Sequence, residues 1–71
     1  MRGKAYAVMS WKDVAAISLS LNNAQEILAD FALEAGCEVY NSLVDGYGHN
    51  FAMAQALLEM DHWTIREFSL A

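Results

Sequence analysis

The chain has no proline, one cysteine, four glycines and only four lysine or arginine residues in 71. The lone Cys37 excludes an internal disulfide and fits a reducing compartment, so a cytoplasmic location is expected. Arg2, Lys4, Lys12 and Arg66 are too few and too scattered to build a basic groove, and nine acids bring the net charge to −5. Phosphate affinity rests mainly on lysine and arginine, so direct binding of nucleic acid or of an anionic membrane is disfavoured. No apolar run approaches the roughly 18 residues that span a bilayer. The start MRGKAYAVMSW holds five consecutive apolar residues, too short for a signal-peptide core.

Chemical motifs are equally scarce. Cys37, His49 and His62 are the soft ligands, and none stands at the paired spacing of a zinc site. A Cys–His nucleophile pair would need a third, orienting group and an oxyanion site, and nothing local supplies either. Gly46-Tyr47-Gly48 lacks the lysine and the spacing of a phosphate loop and reads as a turn. No catalytic residue, metal or cofactor is therefore expected, and the chain reads as a non-enzyme.

What the chain has in surplus is apolar side chain, 56% of residues. A domain this small hides only about 60% of its unfolded surface, so some of that surplus calls for a partner or for self-association. With no repeat or linker visible, residues 1–71 read as one domain.

The clearest element is SLNNAQEILADFALEAG, residues 20–36. Ser20 suits an N-cap and Gly36 a left-handed C′ stop, which predicts a helix over 21–35. Leu21, Ala24, Ile27, Leu28, Phe31, Ala32 and Ala35 fall within an arc of roughly 140°. Glu26, Asp30 and Glu34 recur every four residues on the far side, and Leu33 lies apolar among them. Their rise, about 6 Å per step, is near the phosphate spacing along one DNA strand, and Glu38 extends the row if the chain continues in line. The other reading of this row is a solvated helix face that keeps an apolar protein soluble.

Upstream, KAYAVM reads as extended. Ser10 with Asp13 makes an acidic capping box, and Met9 with Val14 a hydrophobic staple, predicting a short helix over 11–18. The competing reading is a hairpin in which VAAISLSL pairs with YAVMSW across a Lys12-Asp13 turn, a poor primed turn by composition. Downstream, CEVYNSLVD reads as a short helix or a buried strand, and the helical spacing of Val39, Tyr40, Leu43 and Val44 favours a third short helix. Asn50 can cap a helix over 51–60, whose apolar residues run most of the way around the axis. The tail HWTIREFSLA suits either a strand paired with KAYAVM or a last capped turn. A helix–turn–helix reading, with Ala32 and Gly36 at the turn, fails because the second helix would carry two acids and no base.

The expected fold is thus mainly α, a small bundle of three to four short helices with extended termini able to pair as a two-stranded antiparallel ribbon. The extended start, SWKDV and LSLNNAQEIL, over about the first 36 residues, together resemble small accessory proteins of phages and mobile elements. The resemblance implies a host-interfering role and carries over no functional residue. The function expected is a protein-binding module that sets an acidic face, Glu26, Asp30, Leu33, Glu34 and Glu38, on a basic nucleic-acid-binding surface of a partner protein. The alternative is a homodimeric structural module joined through Phe51, Met53, Leu57 and Met60.

Overall fold

A computed structural model describes residues 3–70. Strand β1 (Gly3–Ser10) turns into β2 (Asp13–Ser18), and two helices follow, α1 (Leu21–Tyr47) and α2 (His49–Asp61). The chain ends in β3 (Trp63–Leu70). The strands form one antiparallel sheet in the order β2-β1-β3. This corrects the mainly α expectation: there are two helices, not three or four, and a sheet stands beside them.

The first correction lies at 11–18, where a helix was predicted and β2 runs. Ser10 and Asp13 are not the two ends of a capping box; they face each other as the closing pair of a hairpin. The two loop residues are Trp11 and Lys12, one position earlier than the Lys12-Asp13 turn of the competing reading. Trp11 sits at φ 58, the sign a II′ turn requires at its first loop position and one that glycine usually supplies. The β-branched and small residues of VAAIS then pair with β1, and a bulge between Val8 and Met9 shifts the register. Local capping signals lost to cross-strand pairing that only tertiary structure reveals.

The termini do pair, with Lys4 opposite Ser69 and Ser10 opposite Trp63, but as two strands of the three-stranded sheet. Facing pairs share a side of the sheet, so Tyr6, Val8 and Ser10 lie on one side with Trp63, Ile65 and Ser18. That side meets α1, where Phe31 packs on Trp63 with ring centroids 5.6 Å apart.

The second correction is at Gly36. The helix does not stop there; it runs unbroken to Tyr47 and absorbs the segment expected as a third helix. Gly36 is buried where α2 comes closest, and a Cβ there would lie 2.7 Å from Met60 Cγ and Sδ. With Ala32, Ala52 and Ala56 also buried, small residues let the two helix backbones approach. Gly36 is a packing glycine inside a helix. The break falls instead at Gly48, whose φ of 88 ends α1 and starts α2 without a side-chain cap from Asn50.

Other expectations hold. Ser20 caps α1, its Oγ accepting from Asn23 N at 3.3 Å. Ser18, buried at the end of β2, fixes the entry: its Oγ accepts from Ser20 N at 3.1 Å and from Asn23 Nδ2 at 3.0 Å.

The resulting molecule is long and thin. It measures 54 × 19 × 13 Å, with a radius of gyration of 14.9 Å where a compact chain of this length would have roughly 11 Å. The N-terminal part of α1 covers the sheet, and the remainder projects beyond it with α2 alongside. Its core is slight: Ala5, Ala7, Val8, Ala24, Ala32, Ala52 and Ala56, with Val8 the one large side chain fully buried among the described residues.

Candidate functional site

The continuous α1 decides what the acidic row can do. Because the helix does not break at Gly36, Glu38 stands in line with Glu26, Asp30 and Glu34, and all four are exposed. Among the described residues none of the four makes a salt bridge; Lys4 pairs with Glu67 at 3.3 Å, and Glu59 Oε2 lies 3.7 Å from His62 Nδ1. Each step of four residues turns the row by about 40° and climbs about 6 Å, so it winds slowly around the helix over about 18 Å. Across both helices the chain carries seven carboxylates and no lysine or arginine. The bases Lys4, Lys12 and Arg66 all belong to the sheet or its hairpin turn. The charge is therefore segregated: a negative helical arm on a near-neutral sheet.

Leu33 is exposed on α1 beside Glu26 and Asp30, and it also lines a groove of about 910 Å³ between the helices, shared with Leu28, Ala29, Leu57 and Leu58. Asp61 closes one end of that groove. A second hollow of about 280 Å³ continues it past Leu33 and Cys37 to Tyr40 and Met53. The proposed self-association residues divide accordingly. Phe51, Met53 and Leu57 are exposed, whereas Met60 is half-buried in the seam against Gly36.

The outer side of the sheet is also bare. Val14, Ile17, Phe68 and Leu70 lie exposed on the side away from α1, with Ala5 and Ala7 buried beneath their neighbours.

One polar cluster had no sequence signal, because its members lie 52 residues apart. Ser10 Oγ and His62 Nε2 are hydrogen-bonded at 2.8 Å. The His62 ring stacks on Trp11, centroids 4.7 Å apart and planes at 13°, and on Trp63 at 5.5 Å. A serine, a histidine and the nearby Glu59 suggest a hydrolase triad, but the connection is incomplete. Glu59 Oε2 stays 3.7 Å from His62 Nδ1, and that nitrogen makes no hydrogen bond among the described residues. The His62 side chain is only 6% exposed between two indole rings. Its geometry is that of a pin holding the hairpin turn to the α2–β3 junction.

That pin accounts for a tryptophan at a left-handed position. A left-handed backbone costs a residue with a Cβ roughly 1–2 kcal/mol, and an aromatic pair returns about 0.5–1.5 kcal/mol. Trp11→Ala keeps the backbone cost and loses the stack, while Trp11→Gly loses both. Urea unfolding should accordingly find Trp11→Gly more stable than Trp11→Ala by about 1 kcal/mol.

The remaining polar residues do not assemble into a centre. Cys37 is a free, exposed thiol, and His49 Nδ1 is hydrogen-bonded to the Tyr40 hydroxyl at 2.9 Å. Among the described residues no group of three or more histidine, cysteine, aspartate or glutamate side chains could hold a metal ion. No described helix is long and apolar enough to cross a membrane.

Fold and surface together define a small α+β protein, a three-stranded antiparallel sheet bearing an acidic helical hairpin. Comparison with family models, with curated proteins and with solved structures finds no match.

Proposed function

We propose that the chain is a non-enzymatic protein-binding module whose α1 carboxylates occupy a basic, nucleic-acid-binding surface of a partner protein. This is the mode of action of a phage or mobile-element inhibitor working in the cytoplasm. One observation carries the reading: an unbroken helix holds Glu26, Asp30, Glu34 and Glu38 exposed and outside any salt bridge among the described residues, on an arm without lysine or arginine. Carboxylates carried at near-phosphate spacing by one helix, on an arm without lysine or arginine, offer a basic groove a row of negative charge like that of a nucleic-acid strand. A solubilising surface needs net charge but no such segregation.

The test is retention of cytoplasmic nucleic-acid-binding proteins on immobilised chain, with and without Glu26→Lys, Asp30→Lys and Glu34→Lys together. Each reversal adds two units, so the net charge moves from −5 to +1. The wild type should retain a discrete set of such proteins, released by added salt, and the triple variant should retain at least tenfold less. Equal retention by both would overturn the proposal.

A further inference from the structure

The geometry points to a specific occupant for the groove between α1 and α2: an amphipathic helix of a partner protein, apolar on the face that enters and lysine- or arginine-rich on its flanks. This deepens the protein-binding reading and rests on it. Three observations converge.

First, too much surface is left open. A monomer of this mass exposes roughly 4,400 Å², whereas this chain exposes 5258 Å². The excess, roughly 850 Å², is shared between the groove and the outer side of the sheet, and it is of the order of the 800 Å² or so that one partner contributes to a stable interface.

Second, the groove has the dimensions of a helix site. It is lined by Leu28, Ala29, Leu33, Leu57 and Leu58, and it continues past Met53 and Cys37. It follows α2, whose 13 residues span about 20 Å, so an occupant of three to four turns would fill it. Leu33 and Leu57, 58% and 57% exposed, stand on opposite walls where an entering helix would place its i, i+3, i+4 and i+7 anchors.

Third, the rims select the charge of the occupant. Glu26 and Asp30 lie beside Ala29 and Leu33 on the α1 wall by helical rotation, and Asp61 lies at the α2 wall. A second copy would bring two acidic arms together across an apolar seam with no base on either. A cationic helix meets carboxylates along the α1 rim and Asp61 at one end of the groove.

The probe is a fluorescein-labelled 14-residue peptide with leucines at i, i+3, i+4, i+7 and lysines elsewhere, titrated with the full chain by anisotropy. Its controls are a scrambled peptide of the same composition and a counterpart with glutamate in place of lysine. The patterned cationic peptide should bind at least tenfold more tightly than either control. The double variant Leu33→Gln, Leu57→Gln alters two exposed side chains, so its circular dichroism should match the wild type while its affinity falls at least tenfold.

Equal binding of the scrambled peptide, or unchanged affinity in the folded double variant, would overturn the assignment. So would sedimentation as a dimer that excludes the peptide, which would give the groove to a second copy. Loss of the groove result with the lysine triple variant still defective in retention would remove the helix site and leave the acidic-face reading. The reverse pattern would remove the acidic-face reading alone.

Discussion

Val8→Asp should leave no folded population at room temperature, seen as loss of the cooperative urea transition and of helical circular dichroism. Val8 lies on the central strand, fully buried, with Ala16 and Ile65 as its lateral neighbours on the side that faces α1. A carboxylate there has no free base beside it: Lys4, four residues away on the same side of β1, pairs with Glu67, Arg66 lies over the Phe68 ring, and Lys12 is in the exposed turn. The desolvation penalty for an unpaired buried charge amounts to several kcal/mol. A single core in a chain this short rarely supplies more than about 3–5 kcal/mol in total. The penalty therefore matches or exceeds all the stability available. Val8→Ala, removing two methyl-sized groups without adding charge, should cost about 2 kcal/mol and keep a measurable transition. A cooperative Val8→Asp transition near the wild-type midpoint would mean that Val8 is not the centre of the core.

How much of this was legible in the sequence depends on the range of the interaction that decided each element. The start of α1 was, because the Ser20 cap acts over three residues. So was α2, whose apolar pattern is strong and whose boundaries agree within a residue or two. At 11–18 the decisive interactions are non-local: β2 is a strand because β1 gives it a sheet to join, and although VAAISLSL allowed the hairpin as a competing reading, the local capping signals pointed to helix. The left-handed Trp11 disguised the turn further, since its usual marker, glycine or asparagine, is absent. Gly36 was misleading for a related reason. A glycine that ends a helix and a glycine that admits a neighbouring helix look alike until Met60 is seen against it.

The candidate surface followed the same division. The acidic row was legible because it is a property of one helix, and the longer helix extended it to Glu38. The groove was not, since it exists only between α1 and α2 once Gly36 lets them close. Leu33 looked anomalous on a single helical wheel because its neighbours Leu57 and Leu58 come from the other helix. Ser10 and His62 had no local signal at all. The three surfaces connect physically. The small residues that bring the helices together leave the larger apolar side chains on the flanks, with carboxylates of α1 beside them.

Ala52→Leu tests that connection at its tightest point. Ala52 is fully buried on α2, and α2 rests chiefly on α1. A leucine there adds three carbons where the seam holds alanine and glycine, so the helices must separate or the side chain must leave its rotamer, at a cost of about 1–3 kcal/mol. In a domain with about 3–5 kcal/mol to spare, that is a large share of the total. The sheet, tied to the N-terminal part of α1 through Phe31 and Trp63, does not depend on the overhanging hairpin in the same way. Hydrogen exchange should therefore show protection lost first in α2 and the C-terminal half of α1, with β1 amides still protected. Ala52→Ser, nearly the same size, should retain most protection in both regions. The cationic peptide should bind Ala52→Leu at least tenfold more weakly, because its groove has come apart while Leu33 and Leu57 are unchanged. Uniform loss of protection across sheet and helices would instead mean that the hairpin and the sheet fold as one cooperative unit.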